Sequence, residues 1–317
     1  MAVEILAGPD QGAVWHHGSP VTEQRAMQAG TAVVDRGHHE VLEVRGADRL
    51  TLLHALTTQQ TEGLAPGTPI SGLVLSPQGH IEHGFRGVDD GTSFWAVTEP
   101  GGSAGLAAFL TGMTFMMRVQ TIDRTADFRL VWAGSQVPTG DARGWASEVA
   151  GGRDVLLPRD AALPEATPAG TWAYEALRIA AGVPRIGIDT DHKTIPNEIG
   201  LYGTHLEKGC YRGQETVARV HNLGRPPRRL TRLLLDGSVD TLPPTGSEVH
   251  AEGRVVGVMG SSARHHEDGP IGLALVKRGV AADQTLTTLG DDGTEIAAGQ
   301  ELLVDPDAGL HFRANLR

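Results

Sequence analysis

The first forty residues carry little periodicity, and the first clear signal is Val41-Leu42-Glu43-Val44-Arg45. Leu42 and Val44 alternate there with Glu43 and Arg45, the pattern of a half-buried strand. Gly46 breaks it, and Leu50, Leu53 and Leu56 then recur at helical spacing behind Asp48, which predicts a helix capped by that carboxylate. Strand-like stretches follow at 73–75, 81–88 and 93–97, with Pro77-Gln78-Gly79 and Asp89-Asp90-Gly91 as turns between them. A second helix is expected over 104–111, with Ser103 as its cap, Leu106, Phe109 and Leu110 as its inward stripe and Gly112 as its stop. Strand, helix, strands, helix is the order of a ferredoxin-like α+β sandwich.

Residues 134–170 are rich in Gly, Pro, Ala and Asp and predict a variable connection. The helix at 171–181 is the clearest in the chain: Thr171 caps it, Trp172, Ala176, Leu177 and Ala180 share a face, and Gly182 with Pro184 ends it. Gly224-Arg225-Pro226-Pro227-Arg228-Arg229 then reads as a boundary, because paired prolines continue neither a helix nor a central strand. Beyond it, short strands at 230–235, 248–251, 255–259, 271–276, 285–289 and 301–304 predict a small β-barrel or sandwich. The expected division is an α+β region of two interleaved lobes over 1–224 and a C-terminal β-barrel domain over 225–317.

Composition narrows the function. At ~100–200 residues per domain, 317 residues suggest two or three domains. The formal charge of −11 argues against a general nucleic-acid binder, which needs a basic surface. The chain's single cysteine, Cys210, cannot form an internal disulfide, nor can it alone ligate a structural zinc or an iron–sulfur cluster. The opening MAVEILAGPD lacks the basic region and apolar stretch of a signal peptide, and no run approaches the ~18 apolar residues of a membrane span. The expectation is a cytoplasmic protein without membrane or direct nucleic-acid partners. Aromatics at 4% and 42 glycines suit a turn-rich mixed α and β chain.

The most informative segment is Lys208-Gly209-Cys210-Tyr211-Arg212-Gly213-Gln214-Glu215. Two glycines bracket the thiol, and Lys208 and Arg212 flank it with positive charge that favours a thiolate. A free cysteine is most often a buried small hydrophobe, but this segment is too polar for ordinary core.

The segment resembles the K-G-C-[FY]-x-G-Q-E signature of the folate-binding YgfZ family, relatives of the glycine-cleavage aminomethyltransferase, and every fixed position is present. The likeness extends to Val44-Arg45-Gly46-Ala47-Asp48 with the helix after it, to Leu75-Ser76-Pro77-Gln78-Gly79-His80 leading to Phe85-Arg86, to Ala181-Gly182-Val183-Pro184, Asp189 and Pro196-Asn197-Glu198, and to Gly272-Leu273-Ala274-Leu275-Val276. It leaves out the first ~40 residues and 134–170.

The resemblance implies an aminomethyltransferase-like fold, with ferredoxin-like lobes and a C-terminal barrel around a central pocket for tetrahydrofolate or a one-carbon derivative. By the same resemblance Glu198 stands where a glutamate hydrogen-bonds the pterin, and Arg228 or Arg229 where an arginine faces the folate; Tyr211 and Trp172 are further stacking candidates. The implied role is support of iron–sulfur cluster assembly or repair, for enzymes such as the tRNA methylthiolase and with iron–sulfur enzymes or assembly proteins as partners. Cys210 would be the nucleophile or transient ligand, Lys208 the source of positive potential, and Gly209, Tyr211, Gly213, Gln214 and Glu215 the rest of the motif. The motif itself assigns no reaction.

The alternative is a folate-dependent aminomethyl or methyl transferase. The aminomethyltransferases carry adjacent Asp residues after the hairpin glycine, whereas this chain reads Gly79-His80-Ile81-Glu82-His83-Gly84, so the acidic pair is missing and that activity is disfavoured. His80 and His83, three apart on a strand, should point to opposite faces and not share a metal. The doublets His16-His17, His38-His39 and His265-His266 read as solvated loop residues. Glu99-Pro100-Gly101-Gly102-Ser103-Ala104-Gly105 lacks the Gly-Lys-Ser/Thr of a phosphate loop.

Overall fold

The computed structural model describes residues 1–305; the last twelve residues of the expected barrel domain lie outside the described residues. A short hairpin of β1 (Val3–Glu4) and β2 (Val14–His16) precedes α1 (Pro20–Gln28), β3 (Ala32–Asp35) and β4 (Glu40–Arg45). Then come α2 (Arg49–Leu56), β5 (Pro69–Leu75), β6 (Ile81–Asp89), β7 (Ser93–Thr98), α3 (Ser103–Gly112), β8 (Gln120–Asp123) and β9 (Phe128–Ala133). β10 (Arg143–Ala146), β11 (Arg153–Pro158) and β12 (Thr167–Ala169) lead into α4 (Thr171–Ala180), and α5 (Gln214–Leu223) follows a 3₁₀ turn at Pro196–Ile199. The chain then forms β13 (Arg228–Leu235), β14 (Glu248–Ala251), β15 (Arg254–His265), β16 (Gly269–Lys277), β17 (Leu286–Leu289) and β18 (Glu295–Leu302).

Two five-stranded sheets form, in the orders β10-β11-β9-β3-β12 and β5-β6-β7-β4-β8, and the last six strands close into a barrel, β13-β16-β15-β14-β17-β18. The apolar faces explain how the sheets stack. Val41, Val88, Trp95 and Val97 of one sheet meet Leu130, Trp145 and Leu156 of the other. Helices cover the outer faces: α1 and α4 set Met27, Ala173, Tyr174 and Leu177 on Val34 and Trp132, while α2 and α3 set Leu53, Leu106 and Leu110 on Leu42, Phe85 and Phe94. Both faces of each sheet are therefore buried, and β7 has all six residues buried. Removing each such large side chain from water contributes ~1.5–3 kcal/mol. The barrel joins through a shared core of Leu73, Ile179, Ile199, Tyr211, Leu230, Leu273 and Leu275.

A buried charge network fastens the junction. Arg185 reaches Asp10 at 2.6 Å, Glu99 at 2.7 Å and Glu175 at 3.4 Å. Arg178 reaches Glu175 at 2.7 Å and Asp189 at 3.0 Å, and Asp189 also accepts from the Ser261 N–H of the barrel. Burial favours the neutral acid at Glu175, but the Arg178 and Arg185 guanidiniums outweigh it and hold that carboxyl down at about 2.

Several expectations need correction. The supposed connection at 134–170 carries β10, β11 and β12, and the opening forty residues carry β1, β2, α1 and β3. The last barrel strand is β18, at Glu295–Leu302 rather than 301–304. Asp48 stands at the start of α2 but makes no cap bond; its carboxylate takes the Arg118 N–H and guanidinium. Ser103 and Thr171 are not caps either, because each helix begins behind a glycine, Gly102 and Gly170. His39 and His265 are buried, not solvated. His39 bonds Arg36 at 2.9 Å and the Thr98 carbonyl at 3.1 Å, and burial with the Arg36 charge keeps its ring neutral.

Candidate functional site

The signature segment runs from the C-terminal end of α2 to the start of α5, and most of its side chains serve as fasteners. The Lys208 ammonium donates to the Thr57 carbonyl at 2.7 Å and to that of His54, meeting two acceptors that the end of α2 leaves open. It lies 4.9 Å from the centre of the Tyr211 ring. Burial lowers its pKa to about 8, against the opposing pull of Glu62 and Cys210. Tyr211 is buried in the shared core, which pushes its phenol up to about 12. Arg212 donates to the Leu75 carbonyl, pairs with Glu82 and lies 4.8 Å over the Phe109 ring.

Gly213 adopts φ +81° at the head of α5, where a Cβ would stand 2.5 Å from the Ser76 oxygen. Gln214 is the first residue of α5, and Glu215 forms an exposed i,i+4 pair with Arg219 at 2.9 Å. Cys210 is exposed on this braced segment. Lys208 is thus a brace first, its charge shared by two carbonyls.

Glu198 is 1% exposed, not a surface charge. Its oxygens accept from Arg228 Nε at 2.8 Å, Arg228 Nη2 at 3.0 Å and the Ile195 N–H at 3.1 Å. Asp191 holds the other side of the same guanidinium at 2.6 Å. Burial would weaken the Arg228 charge, yet Glu198 and Asp191 raise its pKa well above that of a free arginine. Arg229 is elsewhere. It is fully buried at one end of the barrel and donates to the carbonyls of Lys277, Arg278 and Val280 and to Gln300. Of the two candidate arginines, Arg228 is therefore the one brought to Glu198. Tyr211 is enclosed by core, and Trp172 stacks on Trp15 at 4.7 Å, lining a separate cavity.

A cleft of about 770 Å³, walled by 76–84, 99–105 and 186–192, meets the signature through Glu82, the partner of Arg212, and approaches Glu198 through Asp191, which shares Arg228 with it. Its three carboxylates are all matched to arginines: Glu82 to Arg212, Glu99 to Arg185 and Asp191 to Arg228. His80 and His83 both line it, because His80 precedes β6 and escapes the alternation expected of a strand. Among the described residues no group of three or more His, Cys, Asp or Glu is placed to hold a metal. At its inner end Gly84 and Ile186 lead to a narrow void shared with Arg86 and Tyr202, and Arg86 also lines a cavity of about 130 Å³ with Ser71, Trp145 and Glu148.

The Arg86 guanidinium makes no hydrogen bond among the described residues, only a 4.0 Å approach to Glu148, while the Tyr202 hydroxyl donates to Glu148 at 2.7 Å. Spacing gives neither residue away. Arg86 appears in the sequence only as the end of the resembling hairpin segment, with nothing to show that its guanidinium is buried.

The family model for the CAF17 C-terminal beta-barrel domain matches residues 228–301, which span β13 to β18 nearly end to end. The tRNA-modifying protein YgfZ of Escherichia coli is 40% identical over 77 residues, 23% of this chain and 23% of its own length. Over these stretches the chain is similar to the CAF17/IBA57/YgfZ family. Another relative, the mitochondrial iron-sulfur cluster assembly factor IBA57 homolog of Mycosarcoma maydis, is 27% identical over 223 residues, 62% of this chain and 55% of that protein. The matched stretches span from about a quarter to just over half the length of the curated relatives. The glycine cleavage aminomethyltransferase T of Bartonella henselae superposes with a TM-score of 0.77 at 17% identity, covering 96% of this chain and 94% of its own, which establishes a common fold. The chain therefore combines two α+β lobes and a six-stranded barrel in the aminomethyltransferase arrangement. Among the described residues no helix is long and apolar enough to cross a membrane.

Proposed function

We propose that this protein is a tetrahydrofolate-binding accessory factor for iron–sulfur cluster assembly or repair, with Cys210 as its working thiol. The observation that carries the reading is an exposed thiol on a segment whose neighbours are pinned to α2, to the core and to the rim of a large cleft. Two relatives bear names pointing the same way, one an iron-sulfur cluster assembly factor and one a tRNA-modifying protein. With one thiol, the chain ligates a cluster only together with a partner: Cys210 loses its proton to solvent and its sulfur lone pair enters the coordination of a partner-held iron, with no electron transferred.

Tetrahydrofolate would supply a reduced, donor-rich pterin and an anionic tail. The cleft volume lies within the range of small-molecule sites, and Asp191 lines it while Glu198 stands one ion pair behind. The residues fit on one condition: the pterin N–H groups reach Glu198 by replacing Arg228, which then rests on Asp191 and faces the folate carboxylate. The transferase alternative loses support from Glu82, the carboxylate nearest the missing acidic pair, because Arg212 already holds it.

Titration with tetrahydrofolate compares wild type with Glu198→Ala, and the activity of iron–sulfur enzymes in cells compares wild type with Cys210→Ala. Saturable binding lost in the first variant and client activity lost in the second are expected. No binding by wild type would remove the folate reading, and full client activity with Cys210→Ala would remove the thiol's role. Single turnover with tetrahydrofolate and a methylamine donor is expected to give no product.

A further inference from the structure

Three of the five tryptophans, Trp95, Trp132 and Trp145, are buried in the lobes. The other two are not. Trp15 is 41% exposed, Trp172 is half-buried, and their rings stack at 4.7 Å and 20°. They line a cavity of about 520 Å³ formed by the N-terminal arm, the N-terminal half of α4, the end of β15 and the barrel loops at 240–242 and 291. This cavity shares no lining residue with the folate cleft.

The polar walls have a definite sense. Thr171 donates its hydroxyl proton to the Val14 carbonyl at 3.1 Å, Ser262 to Pro243 at 2.8 Å and Thr241 to Asp291 at 2.6 Å. All three hydroxyls therefore offer lone pairs to a ligand rather than protons. Asp10 and Glu175 already carry Arg185, and Asp240 carries Arg264, the one cation of the lining, at 2.9 Å. Asp291 holds only the Thr241 hydroxyl and faces no cation among the described residues.

The geometry points to a second ligand site here, for a planar, positively charged N–H donor of the guanidinium class. Such a group stacks flat on an indole and presents a fork of donors to a carboxylate, here Asp291. An anionic ligand meets four carboxylates and one neutralised arginine. The guanidinium belongs either to a free small molecule or to an arginine side chain of a protein partner; the chemistry is the same.

Because the other tryptophans are buried, emission from Trp15 and Trp172 reports on the site. Titration of the full chain with agmatine and with N-acetyl-arginine amide is expected to give a saturable fluorescence change. Tighter agmatine binding assigns the site to a free metabolite and tighter capped arginine to a partner, both within the proposal. Asp291→Asn, at an exposed position, is expected to weaken binding about tenfold or more, and so is Trp15→Leu read by calorimetry. Glutarate is expected to give no response. Absence of a saturable response to either guanidinium, an equal response to glutarate, or unchanged affinity in Asp291→Asn overturns the assignment.

Discussion

Gly79, in the turn before β6, lies backbone to backbone against Gly213 of the signature: a Cβ on Gly213 would stand 2.8 Å from the Gly79 Cα, and one on Gly79 would stand 3.2 Å from the Gly213 oxygen. Both residues have positive φ, +86° and +81°, so each glycine is required twice, for conformation and for contact. Gly213→Ala is predicted to destabilise by about 2–3 kcal/mol in urea unfolding. Gly209→Ala is the control, since its Cβ meets nothing nearer than His54 Nε2 at 3.5 Å, and it should change stability little. Equal stability of the two variants would show that the hairpin does not anchor the thiol segment.

Lys208 is one of three lysines, so reductive methylation with labelled formaldehyde gives few side-chain resonances. The Lys208 resonance is predicted to titrate near pH 8, because burial depresses its folded pKa from 10.5 to about 8. The sign for stability follows. Between pH 8 and 10.5 the unfolded chain binds more protons at this residue, so stability rises with pH across that window. The burial cost is in full force below pH 8. Wild type should therefore gain on Lys208→Met as pH climbs from 8 to 10.5; a gap independent of pH would mean the ammonium is not desolvated.

Arg228 and Arg229 are neighbours with opposite duties. Arg229→Ala removes four hydrogen bonds from a fully buried guanidinium, and a loss of about 3 kcal/mol or more is predicted. Tetrahydrofolate affinity of the surviving folded protein should stay near that of wild type. Arg228→Ala strands the buried Glu198 carboxylate, and a double-mutant cycle with Glu198→Ala should return a coupling of about 1–3 kcal/mol. A folate defect in Arg229→Ala equal to that in Arg228→Ala would reverse the assignment.

The parts of the fold that are legible in the sequence are those where local signals suffice. β4, α2 and the β5 to β7 meander announce themselves through alternation, helical spacing and glycine turns. β11 does not, because Asp154 to Leu157 are all buried between two layers and show no alternation. The Ser103 and Thr171 caps fail for a related reason: the Ser103 N–H donates to Glu40 at 2.8 Å and the Gly170 N–H to Glu23 at 2.9 Å, so carboxylates distant in sequence replace a local hydroxyl. In the candidate site, the Cys210 motif stands out by pattern, and Glu198 only through the family resemblance. The positions of Arg86 and Tyr202 and the bracing task of Lys208 depend on contacts that no spacing records.

Gly84 and Ile186 form the neck between the large cleft and the small cavity lined by Arg86. A Cβ on Gly84 would come within 2.6 Å of Ile186 Cγ1, so Gly84→Ala closes the neck or shifts Ile186 into it. If the bound folate also extends into this neck, Gly84→Ala should weaken tetrahydrofolate binding about tenfold or more, the loss that a ~1.4 kcal/mol penalty brings. Ile186→Ala alone opens the neck and should leave affinity unchanged or improved, and the double variant should recover binding because the added methyl then occupies the vacated space. Thermal unfolding of all three separates this from general damage, since a stability loss alone is not rescued by a second large-to-small change. Unaltered binding in Gly84→Ala would place the folate wholly in the outer cleft and leave Arg86 without contact to it.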